Sequence, residues 1–196
     1  MSNRFKSRYD DDINLFEGRW HLAQYSILMA LLLAAPWLLG TYYLGELTAV
    51  LVWSLAGLGL MLISGHTGQV SLGHAAFMAI GAFTNLALML RGWHFLPALL
   101  ASAVTSGVIG AIISRPILRM SGIYLAIATL ALSIIIEDVA IMAEPITGGV
   151  AGVFAPPIAM FGMEIDRYAT PEAFYYLCLA VLVIVTLGYL NLLRNG

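Results

Sequence analysis

Polar residues are scarce along most of this chain and arrive in clusters, so its apolar runs read as whole helices rather than one-sided faces. Six runs stand out, over residues 22–43, 46–64, 71–90, 95–114, 122–143 and 173–193. Each is near the roughly 20 residues a helix needs to cross a hydrocarbon core of about 30 Å. The pattern predicts an all-α integral membrane protein, a bundle of about six transmembrane helices with Gly-rich helix breaks. Short connections make consecutive helices antiparallel neighbours. The exception is 144–172, "EPITGGVAGVFAPPIAMFGMEIDRYATPE", which reads as a long loop, and loops of such length are often functional. Ahead of the first span, residues 1–21 form a polar segment of mixed charge, read as solvated or lying on the membrane surface. It has no short apolar region followed by a small-residue cleavage site, so no cleaved signal peptide is expected.

Composition supports the membrane assignment. Of 196 residues, 61% are hydrophobic and 10% charged, against about 25% charged in a soluble domain. Mean hydropathy is +0.90. The net charge of −2 and the lack of a basic tract argue against a nucleic-acid partner. The lone Cys178 cannot form an intrachain disulfide.

Lys and Arg set an orientation. With the N-terminus in the cytoplasm, the inner segments hold Arg4, Lys6, Arg8, Arg19, Arg115, Arg119 and Arg194, and the outer ones only Arg91 and Arg167. The 144–172 loop then faces outward and the "SGHTGQ" connection faces the cytoplasm. Trp20, Trp37, Tyr42, Tyr43, Trp93, Tyr168, Tyr175 and Tyr176 lie near predicted span ends, where aromatic belts form. They need no further role.

Much chemistry is missing from the sequence. It has no GxxxxGK[ST] phosphate cradle, no HExxH and no CxxC. His66 and His74 stand eight residues apart with no acid or cysteine between them, which argues against a metal site. No Ser–His pair is specified. The chain reads as a non-enzyme.

The remaining polar residues fall into stripes. A helix begun near Ser71 places Ser71, His74, Met78, Gly81 and Asn85 along one face. Gly73, Ala75, Ala76, Ala79 and Ala82 beside them are small, which favours close helix approach. Tight packing and the lining of a passage both fit this face. A second stripe runs through Gly122, Ala126, Thr129, Ser133 and Glu137. Glu137 and Asp138 follow an apolar run of only about fourteen residues, which favours the outer headgroup level over a proton relay. Gly65, Gly68 and Gly73 point to broken helix in one connection, and "ITGGVAG" (146–152) is a second Gly-rich interruption. Broken backbone at membrane depth needs protein or water cover, and transporters place substrate beside it.

At these residues the chain resembles a known family. "GLGLMLISGHTGQVSLGHAAFMAIGAF" (57–83), "SGIYLAIATLALSIIIED" (121–138) and "ITGGVAGV" (146–153), in that order, resemble the permease subunits of branched-chain amino-acid ABC transporters. The "YLAIATLAL" and "TGG" elements are closer to the LivM-type subunit than to its LivH-type partner. The resemblance covers roughly 45–195. It implies a permease without covalent chemistry or cofactor of its own, with ATP hydrolysed by two cytoplasmic ATPase subunits. A related second permease subunit and an extracytoplasmic substrate-binding protein complete the implied assembly, in the bacterial inner membrane. Implied substrates are leucine, isoleucine and valine, or urea, short amides and other amino acids.

In that family, a cytoplasmic coupling segment and further spans follow the helix that here ends near Leu193. A chain stopping at "LLRNG" is therefore expected to be a fragment or to have its remainder on another polypeptide, and not to transport alone. Stripes, breaks and motifs together give a candidate substrate path of Gly65, Thr67, Gly68, Gln69, Ser71, Gly73, His74, Gly81, Asn85, Tyr124, Thr129, Ser133, Thr147, Gly148 and Gly149. The alternative is an autonomous channel or proton-coupled carrier using Glu137, Asp138 and His74. A membrane enzyme or purely structural subunit finds no support in the residues.

Overall fold

The computed structural model of the chain describes residues 19–66, 68, 71–117, 119–120, 122–160 and 163–195. They form helices α1 (Arg19–Leu38), α2 (Thr41–Met61), α3 (His74–Leu90), α4 (Phe95–Ile117), α5 (Ile123–Met142), α6 (Glu144–Thr147) and α7 (Pro171–Asn195). A π-helical turn, Leu62–His66, prolongs α2. Among the described residues, four helices are long and apolar enough to cross a membrane: α2 with its extension to Gly65, α4, α5 and α7. Ala23–Leu38 and His74–Leu90 are apolar but shorter.

The chain divides into two compact units, the boundary falling inside α2 after Trp53. The first holds α1, the start of α2, and α7. Its core is Ala35, Leu44, Leu51, Tyr175 and Leu179. Pro36 lies inside α1 and has no N–H, so the carbonyl four residues back, on Leu32, loses its helical partner. Tyr175 of α7 fills the gap: its hydroxyl donates to Leu32 O at 2.8 Å, and that of Tyr176 donates to Leu33 O at 2.9 Å. In hydrocarbon no water would serve those carbonyls. The sequence reading ran the first helix to 43 and began the second at 46. The structure breaks the chain at Leu39 and Gly40 instead, where Pro36 has already weakened the helix and glycine favours a turn.

The second unit spans Ser54–Thr170. In it α3 packs most extensively on α4 and next on α5. Small residues permit the close approach. A Cβ at Gly110 would lie 3.5 Å from the Phe77 ring, and one at Gly81 would touch Ser106. The Ser106 hydroxyl crosses between the helices and donates to Phe77 O at 2.9 Å.

The 144–172 stretch, expected as a long loop, carries short elements of its own. After α6 comes a 3₁₀ turn at Gly149–Ala151, then an antiparallel pair of three-residue strands, β1 (Ile158–Met160) and β2 (Met163–Ile165). Ile158 pairs with Ile165 and Ala159 with Glu164. Asp166 closes the following turn, its Oδ1 accepting the N–H groups of Tyr168 at 2.7 Å and Ala169 at 3.0 Å. Those two bonds favour the charged form and hold its carboxyl below the usual carboxylate range, against a smaller opposing effect of burial.

Candidate functional site

The most organised polar feature is the entry to α3. The helix starts at His74 with Gly73 as its N-cap, and no side chain caps it. Ser71 therefore precedes the helix rather than opening its stripe, which corrects the sequence reading. Ser71, Leu72 and Gly73 are non-helical, and such chain carries backbone groups that α3 does not satisfy.

Hydroxyls of α5 take that role. Leu72 N–H donates to Thr129 Oγ1 at 2.9 Å, and Ser133 Oγ donates to Leu72 O at 3.1 Å. Thr129 passes its own proton to Ala126 O at 3.0 Å, and Ser133 has Thr129 O as a second acceptor at 3.3 Å. Ser71 Oγ accepts Gly73 N–H at 3.4 Å. Both backbone groups of one residue are thus held by two side chains one turn apart on α5. Glycine at 73 makes this approach possible, because a Cβ there would lie 3.2 Å from both Cβ and O of Thr129.

His74 faces the opposite neighbour. Its ring lies against Gly59 of α2, where a Cβ would come within 2.8 Å of Cε1 and 3.3 Å of Nε2. Neither Nε2 of His74 nor Nδ2 of Asn85 has a hydrogen-bond partner, and both atoms are sealed from solvent.

Thr147, Gly148 and Gly149 form a separate cluster that terminates α5. Thr147 is buried, with its hydroxyl 2.6 Å from Ala140 O and 3.0 Å from Ala143 O, and it accepts Gly149 N–H at 3.2 Å. Gly148 has φ 73°, and any Cβ would collide with the Gly152 carbonyl and with Val153 Cγ2. Glycine is required there on both counts.

The structure therefore brings Ser71, Gly73, Thr129 and Ser133 together, and places His74, Asn85 and the Thr147–Gly149 cap elsewhere. Gly65 ends inside the π-helical turn, and Gly68 takes φ 63°. Tyr124 stands 72% exposed in the first turn of α5. Gly81 packs on Ser106. Thr67 and Gln69 lie outside the described residues. Sequence reasoning missed Gly59, Leu72 and Ser106. Gly59 carried a weak signal, a small residue in an apolar helix, whereas Leu72 acts through its backbone and carried none.

Comparison with known proteins follows the same segments. Residues 42–195 match the family described as branched-chain amino acid transport system / permease component. The high-affinity branched-chain amino acid transport system permease protein LivM of Salmonella typhimurium is 34% identical over 145 residues, 71% of this chain and 34% of that protein. LivM of Escherichia coli is 32% identical over 144 residues, 72% of this chain and 34% of that protein. The chain thus spans about a third of the length of these curated relatives. No solved structure matches. Since the family match takes in the clasped entry to α3, the α5 hydroxyls and the Thr147–Gly149 cap alike, this chain belongs to the branched-chain amino acid transport system permease family, a family of integral membrane proteins.

Proposed function

We propose that the chain forms part of the membrane permease of an ABC importer for branched-chain amino acids or a related small polar solute. The family match over residues 42–195 carries this reading, and the names of the two LivM relatives support the substrate class. In the proposed assembly the N-terminus faces the cytoplasm of a bacterial inner membrane. A related permease subunit, two ATPase subunits and an extracytoplasmic binding protein complete it, and ATP is hydrolysed by the ATPases.

Within this chain the clasp has a mechanical role. An importer must change access from one side to the other, and packed elements do so as units. Thr129 and Ser133 couple the α3 entry to α5, so the two would move together. They act as positioning residues, and the solute-facing part of the candidate path narrows to the His74–Asn85 face, the π-helical turn that holds Gly65, and Gly68.

The test is uptake into proteoliposomes holding the complete transporter that contains this chain, with its binding protein, against leucine, isoleucine, valine, urea and short amides. ATP-dependent leucine uptake, competed by isoleucine and valine, is expected. Preference for urea or amides would move the substrate class. Uptake without ATP, driven by a proton gradient, would replace the importer with a carrier.

A further inference from the structure

Two nitrogens in the second unit differ from four hydroxyls on the helices of that unit. Thr84 donates to Ile80 O, Ser106 to Phe77 O, Thr129 to Ala126 O and Ser133 to Leu72 O. Short hydroxyl side chains on a helix reach a backbone carbonyl and need nothing more. The Nε2 of His74 and the Nδ2 of Asn85 reach nothing, although both are sealed from solvent. An imidazole nitrogen is a donor or an acceptor in every protonation state, and an amide nitrogen carries two donors. Lipid tails offer neither, so each atom is costly where it stands unless something else completes it.

The positions are related. His74 and Asn85 lie about three turns apart on α3, on nearly the same face and roughly 16 Å apart along the axis. Gly59 leaves the space that the imidazole occupies, since a Cβ there would come 2.8 Å from Cε1. Packing explains why Gly59, Gly73 and Gly81 are small. It does not explain two unpartnered polar nitrogens on the same face. Buried polar atoms lacking protein partners are the usual places for bound water or ligand.

We propose that His74 and Asn85 are two hydrogen-bonding stations for a small polar molecule, either water or the polar head of the transported solute. The α3 face they share is then a hydrated seam. This rests on the permease reading given above.

The test uses the complete transporter carrying Asn85→Leu or His74→Leu, read by uptake kinetics and by thermal unfolding. A dry, unpartnered nitrogen replaced by an apolar group gives a more stable protein with unchanged uptake, and that result would overturn the proposal. A station held by water gives lower stability and weaker uptake, and one held by the solute gives weaker uptake with stability lowered only when leucine is present. If the occupant is the solute, KM rises about fivefold to tenfold, as for one lost hydrogen bond, and leucine no longer raises the unfolding temperature of the variant. If the occupant is water, Vmax falls while leucine still stabilises the variant. Asn85→Ala serves if the leucine variant fails to assemble: unchanged uptake overturns the proposal, reduced uptake supports it. Wild-type protein that takes up no member of the panel with ATP refutes the permease reading instead. The solute-free stability comparison still decides then whether water occupies the two nitrogens.

Discussion

Replacing Thr129 by valine removes one oxygen and keeps the β-branched shape on α5. In the native protein that oxygen accepts Leu72 N–H at 2.9 Å, and the residue is 6% exposed. A buried N–H left without a partner costs about 1–3 kcal/mol. Hydrogen bonds between membrane helices average nearer 0.6 kcal/mol, because released side chains find other partners. Leu72 N–H has no such freedom, since Gly73 holds its backbone in contact with Thr129. The expected loss therefore lies between, at about 1–2 kcal/mol. Thr129→Ser keeps the hydroxyl and is expected to lose less than half as much. Reversible unfolding of the purified transporter by SDS titration measures both. In uptake, a positioning role lowers Vmax and leaves KM near its native value. Equal losses for valine and serine, or a neutral valine variant, would refute the clasp. A raised KM would make Thr129 a solute contact.

Three further outcomes are expected. Tyr175→Phe removes the donor that serves Leu32 O below Pro36, at about 0.5–1.5 kcal/mol of stability. Restoring a helical N–H with Pro36→Ala in the same chain should recover part of it, by the same unfolding titration. Gly148→Ala meets both a positive φ and a collision with Gly152, whereas Gly152→Ala meets only a positive φ of 70° in open space. Gly152 combines that φ with ψ 176°, a region nearly closed to side chains, so the second should cost about 1–3 kcal/mol and the first more, as assembled yield and unfolding would show. Asp166 has a lowered pKa in the folded chain, so its turn gains from the charged carboxylate above the ordinary carboxylate range. That gain is lost as pH falls through the lowered value. Amide proton shifts of Tyr168 and Ala169 should follow this titration and stay flat in Asp166→Asn.

Much of the helical layout was legible because lipid-spanning helices are apolar on all sides, so their lengths appear as uninterrupted runs. The break between Gly65 and Gly73 was legible from its glycines. The way it is held was not. Thr129 and Ser133 were visible as polar positions, but their partner is the backbone of Leu72, and a backbone group leaves no mark on residue type. The sequence suggested a polar stripe lining a path, and the structure spends two of those side chains on one peptide. The Pro36 break was readable in principle, but which tyrosines would serve Leu32 and Leu33 depended on contacts 143 residues apart. The β1–β2 pair leaves no mark on the sequence because three-residue strands are too short to show alternation. Tyr124 belongs to the motif but stands exposed on α5, away from the clasp bonds.

The central claim is that this chain serves an ATP-driven importer, and the energy source of transport tests it most directly. Labelled leucine uptake into vesicles bearing the complete transporter should require ATP inside the ATPase compartment and the binding protein on the opposite side. It should persist when an ionophore abolishes the proton gradient. Uptake that survives ATP depletion and collapses with the ionophore would contradict the account.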